Sequence, residues 1–260
     1  MANDRSIEDY GLIGDMHTAA LVGVDGSIDW FCAPRFDSPS IFGALIDAQK
    51  GGWFSIRPTG DDATCKQSYW PQSNVLVTRF LAPHGGGELI DFMPVGRVRG
   101  DATRIIRRVR GMRGSVEMRM RCRPAFDYAR AGHEITKIDG GCRFTSDGQS
   151  FSIVTDVDMK EDDGELTATF TVEEGDQCSF ILRDECESIS NEPPHLSLGR
   201  VNDAFDATVD YWRKWIGSCA YQGRWREMVH RSALALKLLT YEPTGEIGRA
   251  SCRERVSFTV

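Results

Sequence analysis

The sequence predicts a mainly β chain, an antiparallel β-sandwich over residues 1–190 followed by helices. Three observations carry this expectation. From residue 19 to about residue 187, short runs rich in Val, Ile, Phe and Thr recur between Gly- and Asp-containing turns, with no helical pattern between them. The first two runs flank Asp25-Gly26-Ser27, a strong hairpin signal, because Asp and Gly tolerate the backbone angles of a tight turn. At Pro193-Pro194 the pattern changes, and apolar residues then recur at the period of a helix.

The elements follow in order. Ala19–Val24 and Ile28–Ala33 read as the arms of the first hairpin. The second arm delivers Trp30 and then Arg35-Phe36-Asp37, held between Pro34 and Pro39. Proline fixes φ on both sides, so Arg35 and Asp37 are expected on a stiff loop. Ser38 as N-cap and Pro39 at the first helical position predict a short helix over Pro39–Ala48.

Further strands are predicted at Trp53–Arg57, Val75–Leu81, Glu88–Met93, Arg104–Val109 and Val116–Cys122. Others are expected at Glu134–Ile138, Ser150–Thr155, Leu166–Val172 and Gln177–Leu182. The turns between them are Gly85-Gly86-Gly87, Asp139-Gly140-Gly141, Asp147-Gly148, Asp163-Gly164 and Gly175-Asp176. Hairpin after hairpin implies antiparallel sheets packed face to face.

After the proline pair, Val201, Phe205, Thr208/Val209, Trp212 and Trp215/Ile216 form a helical stripe. Asp203 and Asp206 lie early and Arg213 and Lys214 late, as the helix dipole favours. A second helix is expected from Gly223 to Tyr241. Its stripe of Trp225, Met228/Val229, Ser232, Leu236 and Leu239 is widened by Ala233, Leu234 and Leu238. A stripe that wide belongs to a helix buried on more than one side. Pro243-Thr244-Gly245 reads as a helix stop. The following stretch has neither period, and Glu246–Val256 matches the translation of a nucleotide string that resembles a sequencing adaptor. Residues 246–260 are therefore expected to be a non-native tail.

Composition excludes several functions. With 31 basic and 38 acidic residues the chain carries a formal charge of −7, which disfavours a nucleic-acid surface. Eight arginines crowd into Arg104–Arg123, and in Arg104–Arg110 and Glu117–Arg123 they alternate with apolar residues. That alternation reads as the solvated face of strands paired with acidic neighbours, and a phosphate or polyanion site is the alternative. The eight cysteines are scattered singly, without metal or redox spacing. No apolar run approaches the roughly 20 residues of a membrane span, and no signal peptide is evident. Reduced thiols, no membrane association and a cytoplasmic location are expected. The five histidines show no i, i+4 pairing, so no metal site is expected, and no cofactor either.

Paired carboxyl groups could serve as general acid and base. Asp29, Asp37 and Asp127 stand beside aromatic residues, but an arginine partner or a turn cap explains each. Trp30, Arg35 and Asp37 are the candidate substrate-binding residues, placed at the rim of a site where an aromatic face and a charged pair could hold a hydroxyl-rich ligand. No catalytic residue is identified.

The block Asp9–Phe42 resembles the start of bacterial glycoside hydrolase family 15 proteins, the glucoamylase and trehalase-like group. Similar text continues in YWPQSNVLVTRF (Tyr69–Phe80), DFMPV (Asp91–Val95), PAFDYAR (Pro124–Arg130) and RSALALKLLTYEPTG in the last helix. One departure is Pro124-Ala125-Phe126, where the family more often has Pro-Arg-Phe. The resemblance implies an N-terminal β-sandwich (super-sandwich) at 1–190, a linker helix at 191–222 and the first helix of a truncated catalytic (α/α)6 barrel at 223–245. It implies an inverting α-glucoside hydrolase of trehalase or glucoamylase type, whose catalytic glutamates lie beyond this first barrel helix. The fragment itself is then expected to be inactive, its partners an α-glucoside in the full-length protein and the barrel it packs against. Glu227 matches none of the family's catalytic motifs. A stand-alone carbohydrate-binding or structural sandwich is the alternative.

Overall fold

A computed structural model describes residues 5–96, 102–185 and 198–247. Cys186, Pro193-Pro194, Cys252 and most of the anomalous tail lie outside the described residues. The chain folds as two face-to-face antiparallel sheets followed by two helices, as the alternation predicts.

The first sheet contains β1 (Tyr10–Gly14), β2 (Ala19–Gly23), β3 (Ser27–Cys32), β4 (Ser40–Phe42) and β5 (Trp53–Pro58). The second is entered through β6 (Thr64–Tyr69), β7 (Leu76–Ala82) and β8 (Gly85–Phe92). The 20-residue β9 (Arg104–Arg123) belongs to both. Its first part pairs with β8 and β15 (Gln177–Asp184), and its second part with β5 and β14 (Glu165–Glu173). It bends between Gly111 and Gly114, where Gly114 has φ +59° and a side chain on Gly111 would run into the Glu173 carbonyl. The sequence predicts two strands here, and the structure makes one bent strand that ties the sheets together. A short helical turn, α1 (Phe126–Ala129), follows. Then β10 (Glu134–Ile138), β11 (Gly141–Ser146) and β12 (Gln149–Val154) extend the second sheet, and β13 (Lys160–Asp162) pairs with β14 in the first.

Between the sheets lie Phe31, Phe42, Phe54, Ile56, Phe80, Met118, Met120, Phe144, Phe151 and Phe180 in one buried cluster. The second sheet is covered on its outer face as well. There Val75, Val77, Ile90, Phe92, Ile106 and Ile181 pack against Val201, Phe205 and Val209 of α2 (Leu198–Ile216). A third cluster joins the end of α2, through Trp212 and Ile216, to Leu234 and Leu238 of α3 (Arg226–Leu238) and to Met16.

Three expectations need correction. Pro39–Ala48 is not a helix: Ser40–Phe42 pairs with β3, and residues 44–50 form turns. Ile41 and Phe42 are fully buried in the sandwich, and that burial outweighs the local helix-start signal. The Ser38 hydroxyl instead accepts the Arg35 backbone N–H at 3.1 Å, closing the loop around Phe36. Gly85-Gly86-Gly87 is not a turn but the start of β8, and a side chain at Gly85 would strike the Arg113 carbonyl at 2.6 Å. The Arg104–Arg123 stretch is not simply a solvated face, because Arg107 is completely buried and Arg108 nearly so.

Arg107 shows why. It lies directly opposite Asp91 in the β8–β9 register, and its Nε donates to the Asp91 carboxylate at 2.8 Å. Its two remaining arms donate to the Gly26 carbonyl at 2.6 Å and to the Phe54 carbonyl. The guanidinium sits 4.7 Å from the Phe54 ring centroid. Burial pushes the Asp91 carboxyl upward, and the arginine pulls it back. A buried charge pair persists only where its other hydrogen-bonding positions are filled, and here the backbone fills them. The tip of the opening hairpin, Gly26 at φ +81°, is thus anchored inside the sandwich.

Cys32, Cys65, Cys122, Cys142, Cys178 and Cys219 are free, and burial raises the thiols of Cys32 and Cys178 to about 11 and about 12. Such thiols are poor nucleophiles at neutral pH.

Candidate functional site

The loops at one end of the first sheet converge on the end of α3. Asp15 turns the chain after β1, its carboxylate accepting the backbone N–H groups of His17 at 3.0 Å and Thr18 at 2.9 Å. Met16, at φ +65° and fully buried, takes the Glu242 N–H on its carbonyl at 2.9 Å. His17 consequently faces the Tyr241 ring at 5.7 Å, with the Glu242 carboxylate 3.9 Å from its Nδ1. The His17 carbonyl accepts the Phe36 N–H at 3.0 Å, and the Phe36 ring meets Tyr241 edge-on at 6.4 Å.

Phe36 thereby anchors the loop that carries Arg35 and Asp37 outward. Their side chains form a two-pronged pair, Nε to Oδ1 at 2.8 Å and Nη2 to Oδ2 at 2.7 Å. Hydrogen bonding to Asp37, and then its charge, raise the Arg35 guanidinium above its ordinary value. Both side chains are about half exposed, at 56% and 50%. An exposed pair of this kind adds about 0–1 kcal/mol to stability.

Trp30 has a different neighbour. Its ring lies 6.5 Å from Tyr128, which is 47% exposed. Tyr128 sits in a run of left-handed residues, Asp127, Tyr128 and Ala129 at φ +49°, +58° and +65°. Each costs roughly 1–2 kcal/mol for an L-residue. Phe126 anchors the run in the core, and Arg130 bonds the Asp127 carboxylate at 2.8 Å. The structure therefore joins Arg35 to Asp37 and pairs Trp30 with Tyr128.

Asp29 is occupied by Arg5, by the Tyr10 hydroxyl at 2.9 Å and by the Ser27 hydroxyl at 2.6 Å. Asp29 and Asp127 are thus explained by fold contacts. No local sequence signal groups His17, Tyr241 and Glu242, because the docking of the last helix on the first strands brings them together, while the left-handed turn after Phe126 sets Tyr128 beside Trp30. Among the described residues, no group of three or more His, Cys, Asp or Glu is placed to hold a metal ion.

The helix that closes this corner is fixed to the sandwich by a compact joint. Arg231 donates to the Ser73 carbonyl at 2.8 Å and to the Asn74 side chain, and lies 3.8 Å from the Tyr69 ring centroid. The Asn74 amide donates to the Leu234 carbonyl at 3.0 Å, and the Tyr69 hydroxyl bonds the Leu12 backbone. A side chain at Gly14 would meet Leu238 at 2.7 Å, so the bare backbone lets α3 approach β1. The opposite face of α3 is open, with Trp225, Met228 and Leu236 exposed by 56%, 65% and 56%.

Comparison with known proteins agrees with this arrangement of sheets and helices. A family model described as "Trehalase-like, N-terminal" matches residues 2–204. The trehalase of Thermoplasma volcanium is 33% identical over 247 residues, which are 92% of this chain and 38% of the relative. The Thermoplasma acidophilum trehalase is 34% identical, covering 86% of this chain and 39% of its own length. That of Mycobacterium tuberculosis is 31% identical, covering 94% of this chain and again 39% of the relative. The chain therefore spans about two fifths of the length of the curated relatives it matches. It belongs to the trehalase-like N-terminal family.

Proposed function

We propose that this chain is the N-terminal part of an inverting α-glucoside hydrolase of glycoside hydrolase family 15, acting on trehalose or a related glucoside. The observation that carries this reading is the match to trehalases over 92% of the chain but only 38% of the relative's length. In this reading residues 1–190 are the sandwich, 191–222 the linker helix and 223–245 the first helix of the catalytic barrel. The two catalytic glutamates belong to the later part of the parent protein. The exposed stripe of α3 packs against that later part, and 246–260 is not native sequence.

Trp30, Arg35 and Asp37 then contribute to the rim. The Arg35–Asp37 pair stands beside Tyr241, immediately after the helix that begins the barrel, and this proximity supports a place next to the substrate entrance. Both Asp37 oxygens are bonded to Arg35, an arrangement suited to holding the guanidinium toward sugar hydroxyls rather than to delivering a proton. The general acid and base must be two other carboxyls, about 6.5–9.5 Å apart to admit the attacking water. No described helix is long and apolar enough to cross a membrane; we place the parent enzyme in the cytoplasm on a different ground, the free, singly scattered thiols of the described cysteines.

The test is hydrolysis of trehalose and of maltose by the full-length parent, with the released anomer followed by NMR. Inversion predicts that an α-glucosidic bond first yields β-glucose. From trehalose, where only the attacked carbon inverts and the leaving sugar stays α, β- and α-glucose should appear in equal amounts before mutarotation; α-glucose alone would refute the mechanism, and the faster substrate would name the type.

A further inference from the structure

The arginine-rich strand β9 carries a second feature, on the outer face of the first sheet and away from the Arg35–Asp37 corner. Along β5, β9 and β14 the residues alternate in direction. Phe54, Ile56, Met118, Met120, Leu166 and Ala168 point inward and are buried. Ser55, Arg57, Arg119, Arg121, Thr167 and Thr169 occupy the outward positions. The strand register sets Arg57 directly opposite Arg119, and Ser55 opposite Arg121. With Thr59 and Asp61, these β5 and β9 residues line an open cavity of about 400 Å³.

The three guanidiniums are unequally neutralised. Arg121 is held by Glu165 through two bonds of 2.5 and 2.9 Å. Arg57 reaches only to 3.7 Å from Asp25, a carboxylate that already binds Arg5. Among the described residues the Arg119 guanidinium has no hydrogen-bond or ion-pair partner. Like charges directly opposite each other in a sheet are destabilising, and an anion between them reverses that cost. Guanidinium forks match the oxygens of a phosphate group in two-pronged fashion. The carboxylates of Asp25 and Asp61 line the same cavity and disfavour a long polyanion, as does the chain's net charge of −7.

We propose that Arg57 and Arg119 form a binding site for a single phosphate group, either free phosphate or the phosphate monoester of a sugar. The site is independent of the hydrolase reading, since none of the corner residues lines it. The cavity has room for a sugar beyond the phosphate.

Isothermal titration of the 260-residue chain with inorganic phosphate, glucose 6-phosphate and glucose, at ionic strength matched with sodium chloride, tests the site. Phosphate should bind saturably with one site per chain, and glucose should not bind. Arg119→Gln should weaken binding by about tenfold or more, and Arg57→Gln similarly, since each removes one prong of the clamp. Arg113→Gln, on the same strand but outside the cavity, should leave it unchanged. Thermal unfolding and circular dichroism of each variant establish that it is folded, and two independent cavity variants keep the test decisive if one is not. Tighter binding of glucose 6-phosphate would identify a phosphorylated sugar, and equal binding free phosphate. Absence of saturable phosphate binding, or equal weakening by Arg113→Gln, would overturn the proposal.

Discussion

The second sheet and α3 are both apolar on two sides, yet only the sheet is covered on both. One face of the sheet meets the first sheet and the other meets α2. By contrast, α3 buries His230, Leu234 and Leu238 and leaves Trp225, Met228 and Leu236 in solvent. Burying a large apolar side chain contributes about 1.5–3 kcal/mol, so the open stripe forgoes several kcal/mol that a partner surface would supply. The second sheet is thus packed on both faces, whereas α3 keeps one apolar face open among the described residues. The family description "Trehalase-like, N-terminal" and the 38% of the relative that is covered are consistent with that division.

Breaking the closed half should have the largest effect. Asp91→Ala leaves the Arg107 guanidinium buried without its counter-charge, and should destabilise the chain by about 3–5 kcal/mol in urea denaturation. A loss below 1 kcal/mol would mean that the backbone carbonyls of Gly26 and Phe54 suffice for Arg107. Next comes the joint between the halves. Asn74→Ala removes the bond to the Leu234 carbonyl and a partner of Arg231, at a cost of roughly 1–3 kcal/mol. Hydrogen exchange should quicken in α3 while the amides of β9 keep their protection. Equal acceleration of both would show that α3 and the sandwich unfold as one unit.

The open half should respond least to substitution. Replacing Trp225, Met228 and Leu236 individually by Ser should change stability by no more than about 0.5 kcal/mol each, while lowering self-association in light scattering. A large loss of stability would show that the stripe is already packed. A separate effect, independent of the stripe, is expected at high pH. Burial first, then the neighbouring Asp29 charge, raises Tyr10 from 10.0 to about 12. Above pH 10 the unfolded chain loses that proton before the folded one does, so stability declines as pH rises from 10 toward 12. Tyr10→Phe should make this alkaline decline shallower by up to one proton, measured by denaturation across that range.

Local physics accounts for what the sequence disclosed. The Asp25-Gly26 turn, the alternation of Val, Ile and Phe, and the stripe from Val201 to Ile216 are signals between residues close in the chain, and each element formed where expected. Polar strands were harder: β6, whose residues are exposed or half-buried, carries little apolar alternation to read. The predicted helix at Pro39–Ala48 failed because Ile41 and Phe42 are claimed by the core, and their neighbours in that core are distant in sequence. The same holds for Arg107, whose burial depends on Asp91 standing across a strand pair. Arg35 and Asp37 were legible as a pair because they are two residues apart. Their association with His17, Tyr241 and Glu242 was not, since it requires the last helix to dock on the first strands.

We propose that this chain frames an active site completed by the later part of a longer parent protein. The most direct measurement is glucose release from trehalose by the purified 260-residue chain, beside the same chain extended with the remainder of its native reading frame. The account predicts no release above background from the first and turnover from the second. Turnover by the 260-residue chain alone would contradict it.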